Sequence, residues 1–367
     1  MSVAHRQQHG GMRVESTHVE NGAIAGDEPA PLVRALALIT NFAPGPDPTL
    51  ADTRSGFERM LAGLPVPGGR GVAAPCPRGG GGVRGCGGAG ARGGPPRLAR
   101  ATPPAPRGGV RCLRVRATAS PTAAMLMLHS GGYVMGSADG YVGFAGALAH
   151  ATGTEVVACD YRLAPEHPFP AALDDARAAF DSLAAQYGAQ NVVVLGDSAG
   201  GGLTTGLLMS LRDAGVAPPA CGVVICPELD LTASSAGQRP RDSDPVVKQA
   251  SVRRNGGRYL GGRDPRATPY ASPHFGSGND LPPLLIVVTD TEFFYDEAVD
   301  LAERVTAAGG QATLSVYPGL FHIWPLFWSF LPEAQQAVDE IADFVTSRLP
   351  GARRPPEVCA GLMKAGE

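Results

Sequence analysis

From Ala124 to Leu349 the chain alternates two kinds of segment. Short runs dominated by Val, Leu, Ile and Ala occur at Ala124–Leu128, Glu155–Cys159, Asn191–Leu195, Gly222–Cys226, Leu284–Thr289 and Ala312–Tyr317. Between them, Asp139–Thr152, Pro170–Tyr187, Leu203–Ala214 and Asp296–Ala308 carry apolar residues at helical spacing. A last segment, Pro332–Leu349, puts Ala334, Val338, Ile341 and Val345 on one stripe. Strands that are apolar throughout, separated by helices, predict a mostly parallel central sheet covered on both faces. The expected class is α/β, with the main domain over residues 122–350.

Two regions depart from this alternation. Residues 31–64 read as two helices, with Leu32, Leu36, Ile39 and Phe42 on one face and Phe57, Leu61 and Leu64 on the other. They place a helical cap within an N-terminal segment, 1–65. Residues 233–280 are polar and rich in Pro, Arg and Gly, as expected of a lid or cap insertion. Residues 351–367 read as a tail.

Residues 66–121 differ from the rest. No Asp or Glu occurs from Arg59 to Ala138, and no Phe, Trp or Tyr from Glu58 to Gly132. A stretch dominated by Gly, Arg, Pro and Ala buries too little apolar surface to offset its ordering entropy, so disorder is expected. Val110–Arg116, short and rich in arginine, is the nearest approach to a strand. The composition also matches GC-rich DNA translated out of frame, which displaces the third-position bias into the codon positions that specify Gly, Ala, Arg and Pro. Residues from about 68 to 120 are read in that way, with a natural disordered linker as the alternative.

The net charge of −3 gives no general reason to expect nucleic acid or an anionic membrane as partner. Ten arginines between Arg70 and Arg116 are a local exception. The stretch lacks the interleaved aromatics on which single-strand binders stack bases, so no specific nucleic-acid partner is expected. No run approaches the length of a membrane span, and Met1 to Gly26 lacks the apolar core of a secretory signal. Seven scattered cysteines without a C-x-x-C pair speak against a disulfide framework and a structural zinc site, and for a reduced, cytoplasmic protein.

Three constellations carry chemistry. Gly196-Asp197-Ser198-Ala199-Gly200 follows an apolar run and precedes a helical pattern, the strand–turn–helix setting of a nucleophile elbow. His129-Ser130-Gly131-Gly132-Tyr133 follows the run Ala124–Leu128; a glycine-rich loop there supplies N–H donors for an oxyanion, completed by the amide of Ala199. His322, just past the last strand, stands where a general base would take the proton of Ser198. Asp290 and Glu292 both lie near the carboxyl end of Leu284–Thr289 and are candidates for the orienting acid. Asp296 and Glu297 read as first-turn acids of the next helix, compensating its dipole.

These motifs, with Asp160-Tyr161-Arg162-Leu163-Ala164-Pro165-Glu166-His167-Pro168-Phe169-Pro170, resemble the hormone-sensitive-lipase family of bacterial esterases over about Leu126 to Leu349. The resemblance implies an α/β-hydrolase core, an N-terminal cap and activity on short-chain acyl esters without a cofactor or metal. It assigns the oxyanion hole to the amides of Gly131, Gly132 and Ala199. Its D-x-x-x-D frame, anchored on Asp296, selects Glu292 as the acid, with Asp290 as the alternative. Ser130 departs from the family in replacing the first glycine of the loop, and Glu292 in replacing Asp. The Arg162–Ala172 run is expected to brace the sheet edge without taking part in chemistry.

The expected function is therefore a serine carboxylesterase working through an acyl-enzyme, with lactone hydrolysis as the alternative. A receptor on the same fold would lose its base, which this chain keeps. The bulky residues from Ile323 to Trp328 suit a compact apolar or cyclic substrate. The expected partner is a small-molecule ester or lactone, with homodimerisation left open.

Overall fold

The computed structural model describes residues 5–9, 12–16, 31–40, 49–64, 99–101, 109–234 and 244–350. In chain order the elements are β1 His5–His9, β2 Met12–Ser16, α1 Pro31–Thr40, α2 Leu50–Ala62, β3 Ala99–Ala101, β4 Cys112–Arg116, β5 Ala124–Leu128, α3 Val142–Thr152, β6 Glu155–Cys159, α4 Ala171–Tyr187, β7 Val192–Asp197, α5 Ala199–Asp213, β8 Cys221–Ile225, α6 Gln249–Leu260, β9 Leu284–Val288, α7 Tyr295–Ala307, β10 Ala312–Val316 and α8 Pro332–Thr346. They form one sheet in the order β1-β2-β10-β9-β8-β7-β5-β6-β4-β3. Its body, β4 to β10, is parallel except for β4, which runs antiparallel to β6.

The apolar runs become strands because both faces of the sheet are buried. Alternate residues of one strand enter different cores, since side chains on a strand point to opposite faces. Met125, Met127, Val193, Leu195, Val223, Leu285 and Val287 pack with α3, α8 and α2. Ala124, Leu126, Leu128, Val192, Val194, Val224 and Ile286 pack with α4, α5 and α7 on the other face. Parallel strands joined by helices bring their carboxyl ends to one edge, and the loops after β5, β7, β9 and β10 meet there.

The expected strands and helices form at or within a few residues of their predicted limits, with one larger shift. Helix α5 begins at Ala199 rather than Leu203, because Gly200, Gly201 and Gly202 are helical despite glycine's poor propensity. Two N-terminal strands, β1 and β2, had no expectation; β2 pairs in parallel with β10.

The region read as disordered needs correction at its C-terminal end. Residues 109–121 are ordered, and β4 pairs in register with β6 while β3 pairs with β4. Leu113 and Val115 point into the core, and the arginines alternate with them. Arg114 and Arg116 both donate to the carboxylate of Glu155, which is fully buried, and Tyr187 donates to it at 2.7 Å. The arginines that disguised the strand are thus partners of a buried acid on the neighbouring strand, so an out-of-frame reading cannot extend through Cys112–Arg116. Residues 66–98 and 102–108, the rest of that interval, lie outside the described residues, as do the tail and 235–243.

Helix α2 is tied to the core. Thr49 and Asp52 close a capping box at its start. Arg54 then reaches the carbonyls of Val134 and Ala164 and forms a two-pronged pair with Glu166 at 2.8 and 2.7 Å. The Arg162–Ala172 run departs from its expected role at the sheet edge: Arg162, Pro165, Glu166 and Pro170 are exposed, and the run instead ties helices, Arg162 pairing with Asp175 of α4 and Glu166 with Arg54 of α2.

Burial alone would raise the Glu155 pKa, but the hydrogen bonds from Arg114, Arg116 and Tyr187 outweigh it and hold the carboxyl below its ordinary value. A depressed folded-state pKa stabilises above the unfolded value of about 4.3, and that contribution is lost as pH falls through the folded pKa. Glu155→Gln should cost about 2 kcal/mol in urea unfolding at pH 7, and the gap to wild type should narrow in acid. An equal loss at pH 3 would contradict the ion-pair account.

Candidate active site

Ser198 sits at the turn from β7 into α5 with φ 53° and ψ −121°, a conformation that side chains avoid. The surrounding packing imposes it. A Cβ at Gly196 would lie 2.1 Å from the carbonyl oxygen of Gly200, and one at Gly200 would lie 1.9 Å from that of Leu128. Only glycine permits both approaches. The backbone is held on each side: Ser198 N donates to Ile225 O at 2.8 Å, and Glu228 N and Gly202 N both donate to Ser198 O at 3.0 Å.

His322 reaches this serine from the loop after β10. Its Nε2 lies 2.9 Å from Ser198 Oγ, and its Nδ1 lies 2.6 Å from Glu292 Oε2. The other oxygen of Glu292 accepts from Thr289 N at 3.0 Å. Asp290, the alternative acid, instead accepts from Gly319 N at 2.9 Å and steadies the loop that carries the histidine. All three residues of the line are buried. Burial pushes the imidazole down, but the hydrogen bond and charge of Glu292, with Asp244 and Asp197, more than offset this and leave its pKa above the ordinary 6.5.

The loop after β5 completes the site. Gly131 and Gly132 have φ 123° and 58°, and a Cβ at Gly131 would come 2.2 Å from Met135 O. Among the described residues no acceptor takes up the N–H of Gly131, Gly132 or Ala199. His129 is held behind the loop: its Nδ1 is 2.8 Å from Ser130 O and its ring stacks on Tyr161 at 4.1 Å. Burial lowers its pKa to about 4, so it is neutral near pH 7.

Ser130 does more than stand in for glycine. The Tyr141 hydroxyl accepts from Ser130 N at 3.0 Å, lies 2.6 Å from Ser130 Oγ and donates to Asp197 Oδ2 at 2.7 Å. A phenol has one proton and two lone pairs. Its proton goes to Asp197, so Ser130 Oγ–H donates to it and the phenol is fully used. One buried hydroxyl therefore links the residue before Gly131 to the residue before Ser198, the two sides of the expected oxyanion hole. Burial raises the Asp197 carboxyl to about 7, opposed by the Tyr141 hydrogen bond.

Several buried acids near the site were missed or misread in the sequence. Glu297 is in the first turn of α7 as expected, yet it is fully buried and Oε2 accepts from Leu229 N and Asp230 N at 2.7 and 2.8 Å. Asp244 accepts from Phe293 N, beside Glu292, at 3.0 Å. Glu228 is buried next to the backbone of Ser198, and burial raises its pKa to about 7. A charged residue inside an apolar run or loop is the only sequence signal for such braces. The bulky residues after His322 are also corrected: Trp324 and Phe327 are fully buried in the core, Trp324 against Tyr317. Leu326 and Trp328 instead line a cavity of about 200 Å³ with Leu61, Val142 and Phe144.

Among the described residues, one group of three could bring metal-ligating atoms together: Cys226, Glu292 and His322. Glu292 and His322 already bond each other, and burial raises the Cys226 thiol, which keeps it protonated. These donors suit a proton-transfer line better than an ion.

A strained serine on a strand–helix turn, a buried histidine–carboxylate pair and unspent amides define the class of serine hydrolases on an α/β sheet. Residues 125–326 match the family described as the alpha/beta hydrolase fold. The chain is 40% identical over 223 residues to an acetyl-hydrolase of Streptomyces hygroscopicus, covering 60% of this chain and 74% of that protein. It is 31% identical over 234 residues to an ethyl acetate hydrolase of Pseudomonas putida, covering 62% and 74%. A solved esterase of the bacterial hormone-sensitive lipase family superposes with TM-score 0.74 at 33% identity, over 87% of this chain and 98% of that one. The chain belongs to the alpha/beta hydrolase family, in its hormone-sensitive-lipase branch.

Glu292→Gln should lower kcat by about 10⁴-fold, because an amide cannot hold the required histidine tautomer. Asp290→Asn keeps an acceptor for Gly319 N and should cost under about tenfold by the same comparison. The reverse ranking would contradict the geometry. Tyr141→Phe should lower kcat by about tenfold or more, since a misplaced oxyanion loop loses transition-state contacts. An unchanged kcat would show that the phenol link is dispensable.

Proposed function

We propose that this chain hydrolyses short-chain carboxylic esters through an acyl-enzyme on Ser198. The observation that carries the reading is the continuous line Ser198–His322–Glu292 at 2.9 and 2.6 Å, together with three amides, of Gly131, Gly132 and Ala199, that have no acceptor among the described residues. His322 Nε2 takes the serine proton as Oγ attacks the ester carbonyl, and Glu292 steadies the imidazolium that forms. The amides of Gly131, Gly132 and Ala199 receive the developing oxyanion at the positive end of α5. The tetrahedral intermediate collapses as His322 returns the proton to the leaving alcohol. Water, deprotonated by the same nitrogen, then releases the acid.

The chain is an ester hydrolase by family, and relatives named acetyl-hydrolase and ethyl acetate hydrolase support a small acyl group. No helix among the described residues is long and apolar enough to cross a membrane. A cytoplasmic setting is our reading of its cysteines, of which Cys112, Cys159, Cys221 and Cys226 are free thiols.

A panel of p-nitrophenyl esters from acetate to palmitate, with lactones beside them, tests the substrate class. Highest kcat/KM from acetate to butyrate is expected; a maximum at palmitate, or on a lactone, would overturn it. Ser198→Ala should lose at least about 10⁴-fold in kcat and all labelling by a fluorophosphonate. The base must be neutral, and its pKa is raised, so kcat/KM should fall with decreasing pH around a midpoint above 6.5. A midpoint near 5 would contradict a histidine held by Glu292.

A further inference from the structure

Cys112 on β4 and Cys159 on β6 are directly opposite each other across an antiparallel pair. The hydrogen bond from Asp160 N to Arg111 O at 2.8 Å, one residue beyond, marks theirs as a non-hydrogen-bonded position. Opposed α-carbons at such positions are about 4.5 Å apart, inside the range of roughly 4.4–6.8 Å that a disulfide bridges. Both are free thiols. The strand ends beside them are already fixed, because Arg111 pairs with Asp160 and with Asp139 at 2.6 Å each. A bridge would therefore require little backbone movement.

We propose that Cys112 and Cys159 are a redox modification site, a cross-strand dithiol that hydrogen peroxide closes to a disulfide, with Cys112 as the attacked sulfur and Cys159 as the resolving one. The two positions divide these roles. Cys112 is partly exposed and Cys159 is wholly buried, so an oxidant meets Cys112 first. The neighbouring Cys159 thiol, and Arg114 more weakly, hold the Cys112 thiol below its ordinary value against partial burial. Cys159 is correspondingly pushed up, by its partner and by burial. The thiolate, not the thiol, is the reactive form.

The chemistry balances. The Cys112 thiolate attacks one peroxide oxygen, the O–O bond breaks, and hydroxide leaves to become water. The resulting sulfenic acid is attacked at sulfur by Cys159, which gives up its proton as the S–O bond breaks and a second water departs. Two thiols are oxidised and one peroxide is reduced to two waters. The bridge keeps Cys112 on the reversible rung, short of sulfinic acid. Neither residue belongs to the hydrolytic site. The other two described cysteines do not share this arrangement, since Cys221 is buried with its thiol pushed up to about 12 and Cys226 lies beside Glu292 and His322.

The test is peptide mapping of the folded full-length chain after peroxide, with thiols alkylated under denaturing conditions. A peptide joining Cys112 to Cys159, restored to two thiols by dithiothreitol, is expected. In Cys159→Ala a sulfenic-acid-selective nucleophile should label Cys112; in Cys112→Ala it should leave Cys159 unlabelled. Retained ester hydrolysis shows that each variant is folded, and the wild-type mapping decides if one is not. The proposal is overturned if both cysteines remain fully alkylatable after peroxide, or if Cys112 bridges to a different cysteine.

Discussion

Helix α5 starts so close to the end of β5 that a single methyl group at Gly200 would collide with the carbonyl of Leu128. The remaining features of the site depend on this contact. With α5 pressed against the central strands, the chain leaving β7 has no room for an ordinary turn, and Ser198 takes a positive φ. Its hydroxyl is thereby raised off the sheet edge at the positive end of a helix. The energetic cost of the strained residue, on the order of 1–3 kcal/mol, is offset by backbone hydrogen bonds on both sides of it and by the two cores that clamp the sheet.

The same closeness aligns the two halves of the proposed oxyanion hole. The loop after β5 and the elbow after β7 are neighbours because their strands pair directly. Tyr141 makes that neighbourhood rigid, spanning from Ser130 to Asp197 with every bonding position of its hydroxyl in use. Ser130 offers a donor that glycine lacks. The acids divide their work by reach. Glu292 is long enough to meet the imidazole, while Asp290 turns toward the loop backbone and Glu297 pins the chain after β8.

Much of this was legible in the sequence, and the reasons differ by element. The parallel strands announced themselves because burial on both faces leaves an unbroken apolar run. Ser198 and His322, which the structure brings together, could be proposed from the sequence because the elbow motif and the position after the last strand each demand one residue type in one context. Strand β4 was obscured: two of its five residues are arginines whose partner, Glu155, is distant in the chain, so the local pattern looked hydrophilic. The choice between Asp290 and Glu292 was equally non-local, decided by whether a backbone amide or an imidazole nitrogen lies within reach. The core role of Trp324 was hidden because an aromatic beside a proposed catalytic histidine suits a pocket and a core equally well.

The central claim is that the packing-imposed elbow makes Ser198 the atom that carries the acyl group. Rapid quenching of the enzyme with p-nitrophenyl butyrate, followed by peptide mass analysis, tests it directly. The account predicts a burst of p-nitrophenol and a butyryl group on the peptide containing Ser198 during turnover, decaying as substrate is exhausted. Continued hydrolysis with Ser198 unmodified at every time point, or the butyryl group on another residue, would contradict it.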